Sequence, residues 1–209
     1  MDEMSQSARK RQAILDAARS VFLRKGYGGA SMDEVAALAA VSKQTVYKQF
    51  SDKRRLFEAI ITGDISTTES LTHDMLTSLS TTDNLEHDLR QFARRHIDEV
   101  TQPHLIRLRR IIIAEAERFP DLAKTWFANA LERAHTTIAA QLRELGRRGL
   151  LTVPDPVLAA QHLNWLVLSI PLNKAMFHPD HRFPRRELNH YADEAVRVFL
   201  AAYAAEPTA

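Results

Sequence analysis

Residues 31–57 read SMDEVAALAAVSKQTVYKQFSDKRRLF, two short stretches at helical spacing with a tight turn at Ala40-Val41 between them. Ser31 followed three residues on by Glu34 is a capping-box pattern, in which the Ser31 hydroxyl accepts from the Glu34 amide while the Glu34 carboxylate reaches back. It predicts a helix of about two turns over 32–39. Ser42 is a second N-cap residue and predicts a helix running to Phe50, and Ser51 or Asp52 caps the next one. Two capped helices joined by a tight turn form a helix-turn-helix pattern. Projected at about 100° per residue, Val46 and Phe50 mark the buried side of 43–50. Gln44, Thr45 and Lys48 fall opposite, with Lys43 and Tyr47 on one flank and Gln49 on the other. That outer face holds only hydrogen-bonding groups. Gln can pair with adenine in bidentate fashion, Thr offers a hydroxyl and a methyl for thymine, and Lys suits guanine or phosphate. The same face would also serve as an ordinary solvated surface.

Charge follows the same division. Residues 1–55 carry 11 Lys+Arg against 6 Asp+Glu, and the remaining residues 17 against 20, so a basic segment precedes an acidic body in a chain of net charge +2. Such a segment suits phosphates, although charge alone leaves open a solvated basic face. At 45% hydrophobic and 26% charged, the 209-residue chain has the balance of a globular protein with ample core material. It holds no Cys, which excludes disulfides, thiolate metal sites and Cys nucleophiles. Residues 1–11 are polar with no apolar signal-peptide core, and the apolar run 163–172 is interrupted by Asn164, Ser169 and Pro171. A soluble, cytoplasmic protein that does not enter the membrane is the expectation.

Helical spacing runs throughout, with only 6 Gly and 8 Pro as punctuation. Ile14, Ala17, Ala18, Val21 and Phe22 line a first helix that Gly26 stops. Leu56, Phe57, Ile60 and Ile61 open a fourth, which becomes rich in Thr and Ser from Thr67 onward. Five more helices follow, over 84–100, 103–118, 121–145, 156–177 and 186–204, giving an all-α chain of about nine helices. Residues 163–177 are apolar nearly all round, and Leu188, Tyr191, Ala192, Ala195, Val196, Phe199 and Tyr203 form a wide stripe on the last helix. Both surfaces suit either a monomer core or a helix bundle between two copies.

The stretch 31–57 resembles the DNA-binding domain of the tetracycline-repressor (TetR) family, and the likeness extends over roughly residues 9–60. It rests on the Ser31 cap, the run Ser42-Lys43-Gln44-Thr45-Val46-Tyr47-Lys48-Gln49-Phe50, then Ser51-Asp52-Lys53 and Leu56-Phe57, with Ile14 to Gly26 before them. Ala40 departs from the glycine usual there, which reads as a slightly stiffer turn. Residues 107–127, RLRRIIIAEAERFPDLAKTWF, are similar to the AefR-like branch. The resemblance implies an N-terminal DNA-binding domain, 1–50, and a ligand-binding and dimerisation domain, 51–209. It implies a homodimer on a palindromic double-stranded DNA operator, acting as a repressor released by a small, largely apolar effector. Lys43, Gln44, Thr45 and Tyr47 would touch bases and phosphates, and Lys48, Gln49 and Lys53 mainly phosphates, with Ser31 and Ser42 at the helix starts. Phe92, His96, Arg109, Ile112, Trp126, Phe127 and Trp165 are the candidate effector contacts. Leu166, Ile170, Tyr191, Val196, Phe199 and Tyr203 are the candidate dimer contacts.

No cofactor, metal or catalytic group is expected. His178 and His181 lack a third ligand, Glu115 and Glu117 do not share a helix face, and no phosphate loop or nucleophile elbow is present. Two other readings stand beside this one at the level of sequence: a regulator of the same fold controlled by a protein partner, and an all-α enzyme or lipid carrier with a basic N-terminal segment.

Overall fold

Ten helical stretches carry nearly all the order in the computed structural model, which describes residues 6–63, 79 and 81–205. Helix α1 spans Gln6–Gly29 and is broken at Gly26 (φ 71, ψ 175), a conformation open in practice only to glycine. Helices α2 (Met32–Leu38) and α3 (Lys43–Gln49) follow, then α4 over 53–63. The Thr/Ser-rich continuation expected for α4 lies outside the described residues. Helix α5 (Leu85–Val100) is capped by Asn84, and α6 covers Pro103–Glu115. Helix α6 stops at Glu115, short of the 118 expected, and residues 116–118 form a turn before Pro120 opens the next helix.

The helix expected over 121–145 is divided. Helix α7 (Pro120–Phe127) passes through a π turn, Ala128–Glu132, into α8 (Arg133–Arg147). Helix α9 (Pro156–Phe177) opens under the Asp155 cap, whose carboxylate accepts from the Val157 and Leu158 amides, and α10 is Arg185–Tyr203. Among the described residues there is no strand, only an isolated bridge between Leu151 and Ala204.

The chain divides into two compact units, one drawn from residues 1–65 and 107–126, the other from 66–106 and 127–209. The first unit's core joins Ile14, Val21 and Phe22 of α1, Val35 of α2, Val46 of α3, and Leu56 and Phe57 of α4. Leu108, Ile112 and Leu122 complete it, so the helix-turn-helix segment does not close its own core. The second unit's core holds Leu89 and Ile97, Ile138 and Leu142, Leu163 and Val167, and Val196 and Phe199, with α10 packed on α5 and α9. No helix among the described residues is long and apolar enough to cross a membrane.

The α2–α3 turn is a strained version of a common device. After α2 the Val41 amide bonds back to the Ala36 carbonyl and the Ala40 amide to Ala37, which is the Schellman pattern, with Ala40 at its left-handed position (φ 53). The same pattern ends α8, where Leu150 bonds to Leu145 and Gly149 to Gly146, with Gly149 at φ 73. Holding an alanine left-handed costs roughly 1–2 kcal/mol. Ala40 is therefore under backbone strain that Gly149 avoids. Ala40→Gly should stabilise the protein by a net ~0.5–1 kcal/mol, after the added freedom of the unfolded glycine is subtracted, raising Tm by about 1–4 °C. A Cβ at Gly149 would meet nothing within 4 Å, so Gly149→Ala should lower Tm by the backbone term alone. Differential scanning calorimetry of both variants checks this; a lower Tm for Ala40→Gly would contradict the strain.

Candidate nucleic-acid interface

Helix α3 is held from beneath by two apolar residues, with Val46 fully buried and Phe50 nearly so. Its start is set by Ser42, whose hydroxyl oxygen accepts from the Thr45 amide at 3.1 Å and shares a 2.8 Å hydrogen bond with the Thr45 hydroxyl. Opposite the buried side, Lys43, Gln44, Tyr47 and Lys48 are exposed, with Thr45 and Gln49 half-buried. Gln44 and Lys48 thus lie outward as the wheel assigns, whereas Thr45, assigned with them, is half-buried with its hydroxyl held by Ser42.

Neighbouring helices hold part of that face in place. The Lys43 ammonium pairs with Asp33 of α2 at 2.5 Å. The pair is solvent-exposed on both sides and so contributes about 0–1 kcal/mol, little enough for a phosphate to replace Asp33. The Gln49 carboxamide donates to the Ser7 hydroxyl of α1 at 3.3 Å, and the Arg11 guanidinium lies over the Phe50 ring. Ser31 caps α2 as expected, accepting from the Glu34 amide at 3.2 Å. The reach-back half of the expected capping box is replaced. The Glu34 carboxylate binds Arg24 at 2.5 Å and Lys25 at 2.8 Å, and Lys25 foremost holds it below the usual carboxylate range. Two cations from the end of α1 outcompete one backbone amide.

Lys53, expected on phosphate, is occupied elsewhere. Its ammonium donates to the carbonyl oxygens of Tyr27 at 2.8 Å, Ala30 at 3.0 Å and Gly28 at 3.4 Å, and lies 4.7 Å from the centre of the Tyr27 ring. A cation at a helix C-terminus satisfies carbonyls that lack helical partners and meets the negative end of the dipole. Lys53 ties the start of α4 to the end of α1. Nothing in linear spacing reveals those acceptors, because Lys53 lies more than twenty residues from them.

The candidate effector contacts fall in both units. In the first, the Arg109 guanidinium stacks 4.8 Å from the Trp126 ring centre, and Ile112 is buried. Burial pushes the Arg109 guanidinium down to about 10, which still leaves it charged at neutral pH. In the second, Phe92 is buried and stacks on His96, whereas Phe127 and Trp165 are exposed. Of the candidate dimer contacts, Leu166 and Ile170 are exposed, the latter by 56%. Tyr191 and Tyr203 are half-buried; the Tyr191 hydroxyl donates to Glu187 at 3.1 Å, and the Tyr203 hydroxyl is 2.7 Å from His162 Nδ1. Val196 and Phe199 are corrections: both are 0% exposed within a single chain, on the side of α10 that faces α5 and α9. Trp165 shares the outward side of α9 with Leu166 and Ile170, so it too sits apart from the buried Phe92–His96 pair.

Residues 14–60 match the family model described as bacterial regulatory proteins of the tetR family, and residues 87–205 match that of the AefR-like transcriptional repressor C-terminal domain. The structure is similar to that of a candidate TetR-family transcriptional regulator from Mesorhizobium loti (41% identity, 96% of this chain and 100% of that one, TM-score 0.91). It is also similar to the flavonoid-responsive regulator FrrA (27% identity, 96% and 99% coverage, TM-score 0.76). The HTH-type transcriptional activator FasR of Mycolicibacterium smegmatis is 44% identical over 52 residues, 25% of this chain and 24% of that protein. The chain spans about a quarter of the length of the curated relatives it matches.

Three substitutions separate the roles of this face. Gln44→Ala should cost ~1–3 kcal/mol on a cognate duplex and relax specificity at one position. Lys48→Ala should weaken all duplexes alike and reduce the salt slope by about 0.9 for each copy on the DNA. Lys53→Met should leave the salt slope unchanged and instead lower stability by roughly 1.5–3 kcal/mol, the worth of hydrogen bonds to a charged group. Salt titrations by anisotropy, beside thermal melts, read all three; a reduced slope with unchanged Tm in Lys53→Met would return Lys53 to phosphate.

Proposed function

The chain belongs to the TetR family of transcriptional regulators, and from that premise we propose a homodimeric cytoplasmic repressor whose effector is a small, largely apolar molecule. The observation that carries this reading is the exposed polar face of α3, fixed from below by Val46 and Phe50 and from its start by Ser42. Residues 1–50 present that face, and Gln44, Tyr47 and Lys48 lead the contacts, joined by Lys43, Thr45 and Gln49. The direction of control follows the AefR-like body, whose family model is described as a repressor's. The name of FrrA, similar along its whole length, supports a small-molecule effector for residues 51–209.

Dimerisation is assigned to α9 and α10. Leu158, Trp165, Leu166, Ile170 and Phe177 share one outward side of α9, and Val198 is exposed on α10. A stripe of large apolar side chains left in water is the mark of a contact surface. Release of DNA is a population shift: the effector favours a body conformation in which α4 is displaced. The Lys53 clamp then carries that displacement to α1 and the helices packed on it. By linkage, an effector that weakens operator binding by some factor binds the operator complex more weakly by the same factor, typically about 5- to 150-fold.

Ile170→Glu should give a folded monomer. An unpaired charge buried in the interface of both copies costs several kcal/mol, enough to raise the dimer Kd by roughly a thousandfold, while the monomer's melting is little changed. Phe199→Glu, by contrast, should unfold the second unit. Light scattering, thermal melts and operator anisotropy distinguish these results. A wild-type chain that is monomeric at micromolar concentration, or an Ile170→Glu protein that stays dimeric, contradicts the assignment.

A further inference from the structure

Three helices of the second unit carry polar side chains into an otherwise apolar core. His96 of α5, His135 of α8 and Asn164 of α9 are buried, on the helices whose apolar residues form that core, and His135 is near enough to act electrostatically on His96. His96 Nε2 lies 2.9 Å from Asn164 Oδ1, so Nε2 donates and Nδ1 presents a bare lone pair. That Nδ1 is buried without a partner, and so is His135 Nε2. Most buried polar atoms are satisfied, and two unpaired imidazole nitrogens in one core require a reason. An apolar residue of similar shape at either position would cost less stability.

The backbone supplies a second, independent sign. The π turn Ala128–Glu132 lies directly before α8. A π turn inserts one residue into a helix, which rotates everything after it, and such turns are uncommon and frequently lie at functional sites. Here it sets the rotation of α8 that places His135 on the inward face with Ile138, Ala139 and Leu142. Burial holds both imidazoles below their ordinary range, so both are neutral at neutral pH. The His96 ring is further fixed by stacking on Phe92, at 5.5 Å between centroids and 10° between planes.

The geometry points to a recognition site in which His96 Nδ1 accepts a hydrogen bond from a hydroxyl group of an uncharged, largely apolar ligand, and His135 Nε2 engages a second polar group of the same molecule. A carboxylate is disfavoured there, because its oxygens would face the Nδ1 lone pair with no proton between them. A methyl ether is disfavoured for the same reason. The site names the chemical class of the effector and so rests on the effector reading above.

The test is calorimetric titration of the full chain with a panel of phenols, each beside its methyl ether and the matching carboxylate, starting with 4-phenylphenol, 4-methoxybiphenyl and biphenyl-4-carboxylate. The phenols should bind at least tenfold more tightly than either counterpart. His96→Phe should reduce that preference to under threefold, whereas His135→Leu, which leaves the His96–Asn164 bond and the free Nδ1 intact, should keep it and melt no lower than wild type. Equal binding of phenol and ether, no binding by any phenol, or a preference that survives in His96→Phe overturns the site, the result expected if only water fills it. Phenol preference with no change in DNA affinity upholds the site and removes the effector reading. Release of DNA by compounds indifferent to both histidines does the reverse.

Discussion

The end of α1 leaves carbonyl oxygens that no helical bond can satisfy, and the Lys53 ammonium takes those of Tyr27, Gly28 and Ala30 while lying against the Tyr27 ring. The Tyr27 ring in turn touches Phe22 at 5.8 Å, Phe57 at 5.1 Å and Phe119 at 4.8 Å between centroids. One cation and four aromatic rings therefore join α1, α4 and the α6–α7 connection into a single packed cluster. Because Leu108, Ile112 and Leu122 also enter this core, the helices that present α3 have no independent interior of their own. A shift of α4 cannot be absorbed locally in such a close-packed cluster. In the proposed mechanism it is passed to α1, and α2 and α3 move with it. That coupling is what a DNA-binding module requires if a distant event is to reposition it.

The recognition face obeys the opposite economy. Its fixed parts are local: the Ser42 cap, the Thr45 hydroxyl held by Ser42, and Val46 and Phe50 beneath. Its contacts with neighbours, Lys43 with Asp33 and Gln49 with Ser7, are exposed or half-exposed and easily exchanged. A rigid frame thus carries side chains whose present partners cost little to leave. The left-handed Ala40 keeps the angle between α2 and α3 at some expense in stability.

Local periodicity was enough to read α2, α3, their caps and the buried side of α3, because those features are set within a few residues. What lay beyond it is tertiary. Glu34 carried a capping-box signature, yet Arg24 and Lys25 arrive in space and take its carboxylate. The carbonyls of Tyr27, Gly28 and Ala30 that take the Lys53 ammonium lie beyond the reach of any local pattern. On α10 the apolar stripe is wide enough to face both a core and a partner, and pattern alone could not put Val196 and Phe199 on the inner side. On α9, apolar nearly all round, the outward position of Trp165 was equally hidden. Phe92 and His96 were legible as candidates, but His135 was missed: only the π turn, which has no residue signature, brings it to the same core.

The most direct measurement is selection from random duplex DNA with the full chain, followed by footprinting of the enriched sequences. Two α3 helices related by a twofold axis should enrich inverted half-sites whose centres lie about one helical turn apart, ~34–36 Å along the duplex. Protection should map to the major groove of each half-site, and Gln44→Ala should shift one conserved base in both halves together. Enrichment of a single unpaired half-site, protection confined to the minor groove, or no enrichment above the starting pool would contradict recognition by a pair of α3 helices.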